Sequence, residues 1–218
     1  MATRKADADF LREARERFQA GIDADLENRK RDEADRKFFK GEQWSKTEVA
    51  DRNGRITLTV NRLPQFAKQV TGEMRQNKPA IKVLPKEEGN EELAKVYAAI
   101  IRHIESLSDA HRIYNKAAEQ AVIGGIGWYR LLTEYLDESS FDQEIVLKPI
   151  RNPLSVVIDP DARELTRQDM SYAFVTELVS RKKFEKAYPK VQISDFDHAN
   201  SDYGQWINKD FVRVAEYW

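Results

Sequence analysis

The chain has 218 residues, is 33% charged and 41% hydrophobic, carries a net charge of −1 and contains no cysteine. It is therefore too apolar for a disordered chain and too charged for a membrane protein, and it can form neither disulfides nor thiolate metal sites. We expect no membrane-spanning segment, no signal peptide and no protein-wide basic surface for holding DNA.

The first 40 residues predict a long helix, with Gly21 or Asn28 as alternative points for a break. An apolar residue recurs every four positions, and the other positions are dense in charges of both signs. Two interpretations stay open: the charged faces are solvated and hold i, i+4 ion pairs, or the stripe packs on a neighbouring subunit. The apolar stripe consists of Phe10, Ala14, Phe18, Ile22 and Leu26.

A short motif, Gly41-Glu42-Gln43-Trp44, follows this helix. Gly41 is expected to end the helix, because glycine adopts the left-handed conformation at little steric cost. Trp44 is predicted to be a largely buried anchor that holds the next loop against the core.

The next segment predicts a turn, two short strands and one helix. Asn53-Gly54 is typical of a tight turn, and residues 56–60 alternate apolar residues with threonines as in a half-buried strand. Asn61 is predicted to cap a helix that ends before Pro79, and residues 80–84 are predicted to form a second strand. The apolar stripe of this helix consists of Phe66, Ala67, Val70 and Met74.

Two helices separated by almost no loop then predict a helical hairpin or corner. The clearest helical periodicity spans residues 91–107, Ser108 is expected to cap the second helix, and Gly124-Gly125 is expected to end it. Gly127 is interpreted as a position of close backbone approach. A phosphate-binding loop is the alternative for these glycines, but the order helix, glycines, strand would place the carbonyl end of a helix at the ligand.

The rest of the chain predicts mainly strands, with one short helix around Phe184. Trp128 is predicted to be a largely buried anchor in the first strand, with stacking on nucleic-acid bases as the alternative. Residues 190–210 are interpreted as a surface loop. The predicted strands span residues 128–135, 144–150, 155–158, 171–179 and 211–218.

An acidic loop, residues 159–169, is the most enzyme-like cluster. Its four carboxylates could bind a divalent metal through oxygen ligands. Since all four share one loop, we interpret it as a solvated turn in which Asp159 positions Pro160. The three histidines have no ligand spacing, so the sequence predicts no catalytic residue, no metal site and no cofactor. The four acidic residues are Asp159, Asp161, Glu164 and Asp169.

Several blocks of the sequence, in this order and spacing, resemble the portal proteins of short-tailed, podovirus-type bacteriophages. The first block has an acidic residue, an aromatic pair and Gly-x-Gln-Trp ending at Trp44. The resemblance covers the chain from about Asp35 to Trp218. The further blocks are VNRLPQFAKQVTGEMRQNKPAIKVLP, GGIGWYRLLTEY, SFDQEIVLKPI and NPLSVVIDPDA.

The resemblance implies a structural subunit and not an enzyme. Portal proteins form a closed ring, usually of twelve subunits, at one capsid vertex of the virion, and the ring is assembled in the host cytoplasm. Implied partners are other copies of the chain, capsid and scaffolding proteins, the terminase motor, and tail or head-completion proteins. Double-stranded DNA is implied to pass through the ring without sequence-specific contacts. In such proteins the early part of the chain mainly builds a wing-like outer body.

We therefore expect an α+β fold with a long N-terminal helix, a helical hairpin and a small, mainly antiparallel sheet. Residues 1–44 are expected to form an N-terminal helical segment, and residues 45–218 a wing-like body that is incomplete at its C-terminus. The predicted function is that of a portal subunit. The alternatives are a small metal-dependent nucleic-acid enzyme that uses residues 159–169, or a non-viral interaction module.

Overall fold

Two compact units make up the chain in the computed structural model. The sheet unit comprises residues 1–30 and 154–218, and the hairpin unit comprises residues 31–153. The predicted domain boundary at residue 44 stays a prediction. Most of the predicted loop 190–210 lies outside the described residues. The structure describes residues 2–78, 80–85, 90–137, 139–164, 166–189, 191, 206, 207 and 210–218, with side chains from residue 8 onward.

The predicted α+β fold class is confirmed. Within the described residues, no helix combines the length and the apolar character needed to cross a membrane. The helices are α1 (Ala2–Phe39), α2 (Lys46–Asp51), α3 (Leu63–Gln76), α4 (Glu91–Leu107), α5 (Ala110–Gly124) and α6 (Arg181–Ala187). The strands are β1 (Tyr129–Tyr135), β2 (Gln143–Pro149), β3 (Val156–Ile158), β4 (Ala173–Ser180) and β5 (Phe211–Tyr217).

The long N-terminal helix is present and continuous. α1 has 38 residues, runs through Gly21 and Asn28 without a break, and ends at Phe39. Its exposed faces hold i, i+4 ion pairs such as Lys37 with Glu33, as expected for a helix dense in both charge signs. The boundary between the two units falls within this helix, after residue 30.

An antiparallel sheet with the order β3-β4-β5 forms the centre of the sheet unit. α1 lays Phe18 and Ile22 on this sheet, where they are buried with Val157 and Phe174. The Phe18 and Phe174 rings meet edge to face with centroids 5.4 Å apart, and Phe174 stacks on Tyr217 at 4.5 Å. The apolar stripe predicted on α1 therefore contributes two of the four buried residues of this core.

Two residues of α1 fix the helix against β3. A Cβ atom at Gly21 would lie 2.5 Å from Cγ1 of Val157, so only glycine allows this close approach. Arg29 is 3% exposed and donates hydrogen bonds of 2.6 Å to the carbonyl oxygens of Leu154 and Val156. A buried guanidinium is tolerated here because these carbonyls accept its hydrogen bonds and the carboxylate of Asp25, 3.1 Å from Nε, balances its charge.

The hairpin unit is built from β1 and β2 and from the helices around them. The two strands pair antiparallel, with Leu131 opposite Leu147. The predicted helical corner is present, since two residues separate α4 from α5. The buried cluster of this unit is small and consists of Ala110, Ile113 and Leu147.

Three local predictions in this unit are wrong. Ser108 does not cap α5: its Oγ accepts a hydrogen bond of 2.9 Å from the N–H of Leu147, and Asp109 holds the cap position with φ of 50°. Residues 56–60 and 80–84 form no strands. A strand requires a backbone partner, and neither segment has one among the described strands.

Candidate functional site

The acidic loop contains a buried carboxylate whose two oxygens each accept a backbone N–H group. Asp159 is 5% exposed. Its Oδ1 accepts the N–H of Asp161 and its Oδ2 accepts the N–H of Ser171, both at 3.0 Å. These two hydrogen bonds lower the pKa of Asp159 below its ordinary value, although burial acts in the opposite direction. The expectation of a solvated turn is wrong for Asp159, and its predicted effect on Pro160 stays a prediction.

The remaining carboxylates of the loop are exposed and do not converge. Oδ2 of Asp169 accepts the N–H of Arg163 at 2.5 Å and of Glu164 at 3.1 Å. The bond from Arg163 is the main cause that lowers the pKa of Asp169. Among the described residues, no three histidine or acidic side chains are grouped so that they could hold a metal ion. The loop geometry is that of a hydrogen-bonded turn.

The glycine-rich joint after α5 combines a helix end with two close approaches. Gly125 follows the helix with φ of +86° and donates its N–H to the carbonyl of Ala121. A Cβ atom at Gly124 would lie 1.6 Å from Oδ1 of Asp32, and one at Gly127 would lie 1.9 Å from the carbonyl oxygen of Ala117. α5 thus ends where the sequence predicts, and the glycines lie where side chains would clash.

An ion pair with a buried carboxylate lies against this joint, and sequence reasoning missed it. Asp32 is 4% exposed, and its Oδ2 lies 2.8 Å from Nε of Arg36, one helical turn further along α1. The signal was the i, i+4 spacing of the two residues, but such pairs are usually solvated. Gly124 is the position at which the helix end comes close enough to bury the carboxylate.

The motif that follows α1 is connected to α3 through one asparagine. Nδ2 of Asn61 donates a hydrogen bond of 2.8 Å to the carbonyl of Phe39, and Oδ1 accepts the N–H of Leu63 at 3.2 Å. Gly41, at φ of +100°, allows the chain to turn beside this contact. The N-cap position of α3 belongs to Arg62, so the predicted cap is displaced by one residue.

The two tryptophans predicted to be anchors are both partly buried, and their role as anchors stays a prediction. The guanidinium carbon of Arg52 lies 4.7 Å from the ring centre of Trp44, so a cation covers this ring where a core was expected. Trp128 precedes β1, and its carbonyl accepts the N–H of Ile150 at 3.3 Å. Gln43 is partly buried, and its role stays a prediction.

Comparison with known proteins gives the same family as the motifs. The model of the family described as Phage P22-like portal protein matches residues 15–218. The chain belongs to this family of phage portal proteins. A protein named "Portal protein" from Acyrthosiphon pisum secondary endosymbiont phage 1 is 28% identical over 167 residues, which are 73% of this chain and 23% of that protein. The chain therefore spans under a quarter of the length of that relative.

In this portal chain the predicted subunit-interface stripe on α1 is largely internal. Phe18 and Ile22 are 2% and 1% exposed, because the sheet of their own unit covers them. The predicted interface role is therefore wrong for these two residues. Phe10 is 55% exposed and Leu26 is partly buried, and for these two it stays a prediction.

The hairpin unit of the portal chain exposes the apolar faces that periodicity identified in the sequence. Helical periodicity and strand alternation identified the apolar side of each element, but not what covers it. Faces of this kind are typical of surfaces that bind another protein. The exposed residues are Leu93, Val96, Tyr97, Ile100 and Leu107 on α4, Phe66, Val70 and Met74 on α3, Ile56, Leu58 and Val60, and Leu131, Tyr135 and Phe141 in the hairpin.

An open cleft of about 690 Å³ lies in the hairpin unit between α5 and β2. Three of its four cations make ion pairs: Arg112 lies 3.3 Å from Asp109, Lys116 lies 3.1 Å from Glu119, and Lys148 lies 2.9 Å from Glu134. These ion pairs are exposed and suit a solvated wall. Because three of the four lining cations are paired, the cleft offers little concentrated charge for a substrate, and the apolar faces are the stronger candidate for function.

Proposed function

We propose that the chain is part of a structural subunit of a ring-shaped portal at one capsid vertex of a phage virion. Double-stranded DNA is packaged and ejected through the ring without sequence-specific contacts. The ring, usually of twelve copies, docks the terminase motor, capsid and scaffolding proteins, and tail or head-completion proteins. The observation that carries the proposal is the family match over residues 15–218.

The exposed apolar faces of the hairpin unit support a role in assembly. Large apolar side chains on four different segments stay 44% exposed or more, and soluble monomers rarely leave such surface contiguous and uncovered. A subunit of an assembly buries such apolar surface against its neighbours, since stable interfaces bury about 800 Å² on each partner.

The acidic loop gives no support to the alternative of a metal-dependent enzyme. A metal-binding carboxylate needs free oxygen lone pairs directed at a common point. Both oxygens of Asp159 already accept backbone N–H groups, and Asp169 does the same with one oxygen. These contacts close the loop on itself.

Electron microscopy of the purified full-length protein tests the proposal. We expect particles with rotational symmetry and a central hole, and a mass by light scattering that is a multiple of the subunit mass. A protein that stays monomeric at all concentrations would contradict it. A nuclease activity that requires a divalent metal and is abolished by Asp159→Ala or by Asp161→Ala would support the enzyme instead.

A further inference from the structure

One segment of the hairpin unit has the sequence of a strand but pairs with no strand in the part of the chain that the structure describes. Ile56, Leu58 and Val60 are 85%, 75% and 65% exposed, whereas Thr57 and Thr59 between them are partly buried. The apolar side of the alternation therefore points outward, the reverse of a strand that packs on its own core. We name residues 56–60 the free segment.

The backbone of the free segment makes almost no hydrogen bonds to the described residues. No hydrogen bond joins residues 57–60 to another described residue, and the carbonyl of Ile56 accepts only a side-chain bond from Arg52, at 3.0 Å. Unpaired backbone groups beside exposed apolar side chains are what an added strand requires. The sequence alternation, wrong as a prediction of a strand within this chain, identifies a segment able to pair elsewhere.

The same unit carries a matching acceptor. The β1–β2 hairpin has two strands and therefore two open edges. β2 packs against α4 and α5, whereas β1 leaves Leu131 and Tyr135 60% and 62% exposed. A third strand beside β1 would cover these side chains and pair its free backbone groups.

The charges next to the two surfaces are opposite. Arg55 and Arg62 border the free segment, and both are exposed. Asp137 and Asp142 lie at the tip of the hairpin and are exposed as well. Opposite charges at the rim of an apolar contact favour encounter. A single chain thus contains both halves of one contact.

We propose that residues 56–60 of one copy add as a third strand to the β1 edge of the hairpin in a second copy. The contact uses two different surfaces of the chain, so it is head-to-tail, and repetition around an axis closes a ring. The inference rests on the proposed function only in taking the second copy to be the neighbour in the portal ring.

Disulfide cross-linking between two variants tests the contact, because the chain has no cysteine of its own. One preparation carries Leu58→Cys, and a second, with an affinity tag, carries cysteine at Leu131, Thr133 or Tyr135 to sample the register. Paired strands place Cα atoms about 4.5–5.5 Å apart, within the range that disulfides span. After mixing and mild oxidation, at least one pair should give a mixed dimer in several-fold excess over the control.

The control is Leu178→Cys, mixed with Leu58→Cys in the same way. Leu178 is 60% exposed, as Leu131 is, but it lies on β4 in the sheet unit, opposite Arg213 of β5, and not on the β1 edge. Mixed dimers formed no more readily with Leu131, Thr133 or Tyr135 than with Leu178 would overturn the proposal. Using two preparations excludes cross-links within one copy.

Proline in the free segment separates strand pairing from simple apolar contact. With Ile56→Cys as the cross-linking site, Leu58→Pro should abolish the mixed dimer, because proline cannot donate to a ladder, whereas Leu58→Val should retain it. Equal cross-linking of both variants would overturn the proposal. Rings that still form in the Leu58→Pro protein would contradict this contact and leave the portal function standing. A mixed dimer from a protein that never forms rings would support the contact and contradict the function.

Discussion

The two units use the same sequence pattern in opposite ways. In the sheet unit, the apolar stripe of α1 meets a three-stranded sheet, and Phe18 and Ile22 are buried almost completely. In the hairpin unit, α4 has a stronger stripe, yet Val96 and Ile100 are about half exposed (52% and 47%). Periodicity therefore defines an apolar face, and only the tertiary partner decides whether that face is core or interface.

Because the two units differ in the burial of their apolar faces, we expect substitutions to affect them differently. A unit with an enclosed core loses stability when its large side chains are truncated. A unit with exposed apolar faces tolerates truncation as a monomer and loses association instead. In a portal chain, we therefore expect the hairpin unit to carry more of the contacts between subunits.

The largest expected effect is truncation in the core of the sheet unit. Phe18→Ala removes a ring that packs on Phe174 and on Trp206, whose ring centroid lies 5.0 Å away. Loss of a buried phenylalanine costs about 3–5 kcal/mol of unfolding free energy. Denaturant unfolding, with amide hydrogen exchange in β4 to locate the effect, measures it.

Phe66→Ala is the matched control in the hairpin unit. Phe66 is 61% exposed on α3, so its removal should change the unfolding free energy by about 0.5 kcal/mol or less, as for other surface substitutions. Equal losses for Phe18→Ala and Phe66→Ala would contradict the contrast between the units. A small loss for Phe18→Ala together with failed assembly would restore the interface role first predicted for it.

A glycine substitution tests the tightest contact of the hairpin unit. Gly124→Ala places a methyl group on the carboxylate of Asp32, which must then move with its partner Arg36. Overpacking of this kind costs about 1–3 kcal/mol. Thermal unfolding of the variant should show a clear decrease in Tm.

Gly72→Ala provides the control, because it is the same change inside a helix. No atom lies within 4 Å of a Cβ atom built at Gly72, and α3 is helical on both sides of it. Alanine should stabilise this helix by about 0.5–1 kcal/mol. A Gly124→Ala variant as stable as Gly72→Ala would show that Asp32 moves away at no cost.

Elements with their own local signal were predictable from the sequence. The glycine stop at Gly125, the corner between α4 and α5, and the strands β1, β2, β4 and β5 lie within a few residues of their predicted positions. Each depends on short-range chemistry: a left-handed cap, a two-residue connection, or alternation in a hairpin.

Features that depend on a distant partner were not predictable. The alternation in residues 56–60 is real, but a strand also needs a neighbour that the sequence does not name. Trp44 is covered by Arg52, and its size alone suggested a core position. The sequence pattern predicts that Asp32 is an exposed charge, whereas in the structure the close contact with Gly124 buries it. The sequence predicted which residues form the apolar faces of the hairpin unit. It did not predict that these faces are exposed, because exposure depends on the absence of a distant partner.

The Asp159 carboxylate in the sheet unit is expected to stabilise the fold in a way that depends on pH. Asp159→Asn replaces the acceptor oxygen that binds the N–H of Ser171 or of Asp161 with an amide group. The folded state lowers the pKa of Asp159. The contribution of the carboxylate is therefore present above the unfolded pKa of about 3.9 and is lost as pH falls through the folded value. Unfolding measured between neutral pH and pH 3 should show the native chain approach the Asn variant in acid; a constant difference would contradict this account.

The smallest expected effect is a loss of stability at alkaline pH that involves Tyr114 of the hairpin unit. Burial first, and then the hydrogen bond of 3.2 Å that its hydroxyl donates to Oε1 of Glu105, raise the pKa of Tyr114 from 10.0 to about 12. The contribution of the neutral phenol is therefore complete below pH 10. Above pH 10 the unfolded chain releases the proton while the folded chain retains it until about pH 12, so stability falls across this window.

Tyr114→Phe removes this pH dependence and leaves the ring contact with Tyr129, whose centroid lies 5.3 Å away. At neutral pH the variant should lose about 0.5–1.5 kcal/mol for the hydrogen bond to Glu105. Above pH 10 the difference from the native chain should shrink, because only the native chain loses the contribution of a neutral phenol. Tyr135→Phe, at a 62% exposed position in the same unit, controls for the loss of a tyrosine hydroxyl. If the difference between Tyr114→Phe and the native chain stays constant to pH 12, the hydroxyl is as free as one at the surface, and the hairpin unit is looser around α5 than its buried cluster indicates.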